Sequence, residues 1–183
     1  MNVGIIGKMG SGKTTAANFL VEKHGFVKMS LADPMRQITK EIFGIESKTD
    51  PRYRRIMQKL GTDWFRSEDP DVWVRYLLKR VEQETRPVVV DDVRFPNEAI
   101  TLNRCGWKLV YLDCPYEVRK KRCLQRDGQF DESALEHPSE TGVDEILKGI
   151  ESGAFLSSSW IVADASRDAE EVNRIIEGLL FNT

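Results

Sequence analysis

The chain has 183 residues, 40% of them hydrophobic and 31% charged, with a formal net charge of -2 at pH 7. That is enough for one domain with a real core. The slight acidity argues against a broad electrostatic grip on DNA or RNA, which needs a basic face, and no apolar run approaches the roughly 18 residues of a membrane span.

The apolar run Asn2 to Ile6 predicts a short strand, and Lys13 to Lys23 a helix. Phe26 to Met29 reads as a second strand. Asp33 is placed to cap a helix with Pro34 at its first position, running to about Phe43. Residues 44–51 read as a loop, followed by helical segments at 51–60 and 70–84 separated by GTDWFRSED. Pro87 to Asp92 is the clearest buried strand, a β-branched run closing on two acids. A helix from about Asn97 to Arg104 follows, then a strand at 107–113 and a strongly basic helix at 116–127. Residues 128–150 are polar, expected to be irregular first and then briefly helical. Ser159 to Ala163 forms a last strand and Asp168 to Leu180 an amphipathic helix. Strands alternating with helices imply a mostly parallel sheet covered on both faces.

Cys105, Cys114 and Cys123 form no CxxC pair, and only His24 and His137 could join them, so free thiols are expected rather than zinc. A strand that starts at the second residue leaves no room for a signal peptide, and the expectation is a cytoplasmic protein.

Gly7-Lys8-Met9-Gly10-Ser11-Gly12-Lys13-Thr14 fits G-x-x-x-x-G-K-[ST] between an apolar strand and a helix, the setting a phosphate-binding loop requires. Gly10, Ser11 and Gly12 aim backbone N–H groups into one concavity, and the helix start adds its positive dipole end. Lys13 reaches the β- and γ-phosphates, the Thr14 hydroxyl ligates Mg²⁺, and Thr15 lies beside them. Lys8 and Met9 read as spacers. Asp91 and Asp92 end the VVVDD strand where an acid organises the metal's water shell. Adjacent strand residues point to opposite faces, so one of the two serves the metal.

Arg119, Arg122 and Arg126 fall on one helical stripe beside the polar 128–150 segment. Such forks suit phosphate oxygens and the charge on a transferring phosphoryl group. A second group, Arg52, Arg54, Arg55 and Arg66, flanks Gln58 and Gly61, with Trp64, Phe65 and Trp73 nearby; together they could read a base and an acceptor phosphate. His137 has no partner in view and is set aside as a base, because a phosphate acceptor is already anionic. No N-K-x-D or switch-like D-x-x-G is present, which argues against a GTPase.

GKMGSGKTT, SLADPMR, RRIMQKLGTDWFR, VVVDDVRFPNEA and EHPSE together resemble the motif set of the bacteriophage-type deoxynucleoside monophosphate kinases, within the P-loop nucleoside monophosphate kinase group. The resemblance runs from residue 4 to about 144. It implies an adenylate-kinase-like α/β protein of three layers with a five-stranded parallel sheet. The single P-loop domain would have its core at about 1–32, 85–126 and 151–183, a monophosphate-binding part at about 33–84 and a lid at about 127–150. It favours Asp92 as the metal-shell acid and sets Arg94 at the acceptor phosphate. Asp33, Arg36, Gln58, Gly61 and Arg66 would line the monophosphate pocket, and Asp164 and Ser166 in the ADAS turn would hold the ATP adenine. The expected reaction is transfer from ATP, with Mg²⁺, to a deoxynucleoside 5′-monophosphate, with Arg119, Arg122 and Arg126 closing over it and excluding water. Its partners are small molecules, neither nucleic acid nor membrane, and a homodimer is left open. Alternatives are a kinase of another metabolite such as dephospho-coenzyme A, or an ATP-binding regulatory module; the arginines around an acceptor argue against the latter.

Overall fold

The computed structural model describes residues 1–46, 50–128, 130, 132–136, 138–153 and 160–181. The chain divides into two compact units, residues 1–28 with 85–183, and residues 29–84.

The first unit is built on the strands β1 (Val3–Ile6), β3 (Val88–Val93), β4 (Lys108–Asp113) and β5 (Trp160–Asp164), of which the first three are largely buried. With β2 (Val27–Met29) they form a sheet of order β2-β3-β1-β4-β5. Pairing of β1 with β3 and β4, and of β4 with β5, is parallel. That order puts β1 at the centre, so the loop leaving it lies beside the ends of β3 and β4, where open α/β sheets bind ligands. Val3 and Ile5 pack one face against Ala16, Ala17 and Leu20 of α1 (Lys13–His24) and against Val172 and Ile176 of α9 (Ala169–Phe181). The intervening Gly4 faces the other way, toward Leu109, Val93 and Leu102 of α6 (Pro96–Arg104). The alternation of one four-residue strand thus places helices on both faces. α7 (Tyr116–Asp127) and α8 (Pro138–Glu151) complete this unit, with a short 3₁₀ turn at Glu132–Glu136 between them.

One expectation changes here. The 128–150 segment is far more regular than its polarity implied: α8 runs 14 residues, with Pro138 at its start and Val143 and Ile146 fully buried. An internal glycine, Gly142, ordinarily costs a helix about 1 kcal/mol. Here it allows close packing, since a Cβ at that position would lie 2.5 Å from the Arg94 carbonyl oxygen. The last strand begins at Trp160; Ser159 lies outside the described residues, as does His137.

In the second unit, α2 (Asp33–Phe43), α3 (Pro51–Gln58), α4 (Phe65–Glu68) and α5 (Val72–Val81) are joined by a π-helical turn at Lys59–Trp64. The expected separator GTDWFRSED is therefore largely helical. Asp33 is not the cap of α2 but its first residue, after Ala32. Its carboxylate reaches back to accept the Ser30 N–H at 3.0 Å instead of forward to the first turn. Among the described residues no helix is long and apolar enough to cross a membrane.

Candidate functional site

The loop after β1 curls on itself, with the Ser11 N–H donating to the Lys8 carbonyl at 3.1 Å. Gly10 and Gly12 take φ values of +82° and +95°, which L side chains rarely adopt. Lys13 is 8% exposed. Its Nζ donates to the Gly7 carbonyl at 2.6 Å and the Lys8 carbonyl at 2.8 Å. Burial lowers its pKa from 10.5 to about 7, aided by the positive charges of Arg94 and Arg119 and opposed by Glu140 and Asp91. The Ser11 hydroxyl is buried with no hydrogen-bond partner. Thr14 and Thr15 lie exposed in the first turn of α1.

The acids ending β3 sit on an irregularity. Gly4 pairs with Val90 and Ile6 with Val93, so β3 has one more residue than β1 over this interval. A bulge of this kind interrupts the strict alternation of faces and can re-aim side chains, so alternation alone does not assign the faces of Asp91 and Asp92. Asp91 forms an ion pair with Lys28 at 2.7 Å, and its charge, with that of Glu140, raises the Lys13 pKa.

Arg94 follows directly. The fully buried Glu98, in the first turn of α6, accepts the backbone N–H of Arg94 at 2.9 Å and of Phe95 at 3.1 Å. That is the physical content of the FPNE run: proline starts the helix and the glutamate three residues after Phe95 returns to its entry. The Arg94 guanidinium meets buried Glu140 of α8 at 2.5 Å, and the other Glu140 oxygen accepts the Met9 N–H at 2.9 Å. One turn on, Asp144 pairs with Lys8 at 2.6 Å. Lys8 and Met9 are thus not spacers but the loop's seat for α8. Sequence reasoning missed Glu140 and Asp144; their i, i+4 spacing in SETGVDE was the available signal.

The arginine stripe of α7 separates into three roles. Arg119 is buried and donates to the Cys114 carbonyl at 3.1 Å and the Met9 carbonyl at 3.2 Å, so it braces the phosphate loop. Arg122 donates to the carbonyls of Ala165 at 2.9 Å and Arg167 at 2.5 Å. It thereby holds the turn after β5, where Asp164 accepts the Ser166 N–H at 2.9 Å. Arg126 is exposed and pairs with its neighbour Asp127 at 2.5 Å. Common helical spacing did not give the three arginines common partners. The flanking elements present backbone carbonyls to the first two, while the third meets the carboxylate of its own neighbour, Asp127.

In the second unit, Arg36 meets Ser30 Oγ at 2.8 Å and Asp33 at 2.9 Å, while Arg80 meets the other Asp33 oxygen at 3.0 Å. Arg80 was not singled out from the sequence. Gln58 ends α3 and Gly61 lies buried in the π-helical turn. Trp73, expected at the nucleotide, is instead a core residue, 4% exposed, donating its Nε1–H to the Gly61 carbonyl at 3.0 Å. Phe65 packs on it and Trp64 on Phe65, with ring centroids 4.9 and 5.0 Å apart. Arg66 is half-exposed, with Nη1 donating to the Pro70 carbonyl at 3.4 Å.

The residues around Lys13 fit a bound triphosphate: a buried cation, the unpartnered Ser11 hydroxyl and a glycine-shaped loop at a helix start. They also fit Mg²⁺. Thr14 and the β3 acids are hard oxygen donors, and no cluster of three or more His, Cys, Asp or Glu among the described residues could hold a metal alone. A metal held by one or two protein oxygens together with phosphates and water is how Mg²⁺ is usually bound.

Residues 3–141 match the AAA domain family. A curated relative, the "Putative deoxynucleotide monophosphate kinase" of Acanthamoeba polyphaga mimivirus, is 31% identical over 144 residues, covering 62% of this chain and 74% of that protein. Among solved structures, a gluconokinase from Sinorhizobium meliloti superposes with a TM-score of 0.60 at 20% identity, over 97% of this chain and 90% of that one. The shikimate kinase of Aquifex aeolicus gives 0.56 at 20% identity, over 96% and 93%. These structures share the five-stranded fold. With the phosphate loop in place, the chain belongs to the AAA domain family and is a P-loop kinase, a phosphotransferase.

Proposed function

We propose that this kinase transfers the γ-phosphoryl group of ATP to a deoxynucleoside 5′-monophosphate, giving ADP and the diphosphate. The observation that carries the reading is the convergence of Lys13, Arg94 and Arg119 on the loop after β1, with Lys13 feeling both arginine charges. The viral relative's name supports the acceptor class.

Lys13 and the amides of Gly10 to Thr15 hold the β- and γ-phosphates, and Arg94 stabilises the charge on the phosphoryl group in flight. Thr14 and Asp92 would hold Mg²⁺, which when bound would neutralise phosphate charge; Asp91, already paired with Lys28, balances Lys13. Arg122 keeps the Asp164–Ser166 turn in place for the adenine. Asp33, Arg36, Gln58, Gly61 and Arg66 bind the acceptor monophosphate. No general base is required, because the attacking phosphate oxygen is already anionic.

The test is ATP-dependent ADP production over a panel of deoxynucleoside monophosphates, ribonucleoside monophosphates and dephospho-coenzyme A. Acceptor-dependent turnover with at least one deoxynucleoside monophosphate, lost in Lys13→Ala, is expected. Turnover confined to dephospho-coenzyme A would sink the assignment.

A further inference from the structure

Two buried carboxylates that the phosphate-loop signature does not name flank Arg94, Glu98 on its backbone and Glu140 on its guanidinium, and Glu140 also reaches the phosphate loop. Glu140 is 4% exposed, and its two oxygens go to different parts of the site, the Arg94 guanidinium and the Met9 N–H of the phosphate loop. Arg94 is also held from its backbone side. Glu98 takes its N–H, and the missing side chain of Gly142 lets α8 close on its carbonyl oxygen. Asp144, one turn beyond Glu140, fastens the same helix to Lys8. Arginine has several rotatable bonds and about 2 kcal/mol of rotamer entropy. A guanidinium that must meet a transferring phosphoryl group gains rate from being held in one direction beforehand.

We infer that Glu140 is a positioning residue for phosphoryl transfer: its carboxylate orients the Arg94 guanidinium and ties it to the phosphate loop, so that α8 sets the arginine's aim. This rests on the reading in which Arg94 acts on the phosphoryl group. Glu140 touches neither reactant in this role and acts through Arg94. A carboxylate is needed rather than any acceptor. An amide carbonyl would still take the Met9 N–H, but it supplies no charge to hold the guanidinium.

The test is a double-mutant cycle with Glu140→Gln, Arg94→Ala and the pair, read as ADP release with the best acceptor of the panel and as acceptor-independent ATP hydrolysis. Glu140→Gln is expected to lower kcat about 10- to 100-fold without raising the KM for ATP, because the loop keeps its acceptor at Met9 and loses a nearby negative charge. In the Arg94→Ala background it should change kcat by less than about twofold. A purely architectural role for α8 would instead raise the ATP KM, lower the melting temperature and add to Arg94→Ala; that pattern, or an unchanged kcat, overturns the inference. Should Arg94→Ala itself leave kcat unchanged, the assignment of Arg94 fails, a result distinct from an inactive Arg94→Ala beside a neutral Glu140→Gln. Full thermal stability of Glu140→Gln, checked by scanning calorimetry, separates mis-aiming from misfolding.

Discussion

Lys13 Nζ sits 2.6 Å from the carbonyl oxygen of Gly7, six residues before it, so the loop's own backbone solvates the cation it presents to phosphate. Carbonyl dipoles are weaker partners than a carboxylate, and the buried ammonium titrates near pH 7 instead of 10.5. Because the folded pKa lies below the unfolded one, the unfolded chain binds more protons between about pH 7 and 10.5. Lys13 therefore makes stability rise with pH across that window, and below pH 7 its burial opposes folding in full.

Bound phosphates favour the charged lysine, so nucleotide binding should draw in a proton above pH 7. Calorimetry of ATP binding at pH 8.5, in buffers of different ionisation enthalpy, should show uptake approaching one proton in the wild type and none in Lys13→Met. Equal uptake in both would disconnect the effect from Lys13.

The two acids of β3 should separate by readout. Asp92→Asn is expected to raise the Mg²⁺ concentration for half-maximal activity about tenfold or more. Asp91→Asn should leave that requirement nearly unchanged and extend the proton uptake to lower pH, since Asp91 raises the Lys13 pKa. A metal titration of both variants decides; the reverse pattern would assign the metal to Asp91.

Gly10→Ala combines a strained φ with a collision, because a Cβ there would lie 2.7 Å from the Arg119 carbonyl oxygen and 2.9 Å from Cys123 Sγ. Denaturant unfolding should show a loss of about 1–3 kcal/mol. ATP affinity should fall with it, since the loop cannot keep its shape.

Within the α7 stripe, Arg122→Ala should raise the KM for ATP several-fold with a smaller change in kcat, because it frees the 165–167 turn without touching the phosphates. Arg126→Ala should be silent in steady-state kinetics, its charge being exposed beside Asp127. Equal defects in the two would restore a shared role for the stripe.

Local chemistry made much of this legible before any coordinates. The strand at Asn2 to Ile6, the glycine-shaped turn and the helix from Lys13 were legible because they lie within about twenty consecutive residues, where short-range sterics and hydrogen bonding decide. The α6 entry at Phe95 was legible in part for the same reason. By contrast, 128–150 was misread because polarity alone separates a solvent-facing loop poorly from a helix whose acids pair with half-buried cations. Trp73 was misplaced because an aromatic beside arginines looks alike whether it stacks on a base or fills a core.

By itself the sequence determined the layered α/β arrangement and the phosphate end of the site, since both arise from periodicity and from a motif that closes on itself. Tertiary structure alone decided which charges meet. Asp91 met Lys28 across the chain, and α8 brought Glu140 from 46 residues away onto Arg94. An ion pair at that separation depends on how helices pack across the sheet, and no local spacing rule encodes it.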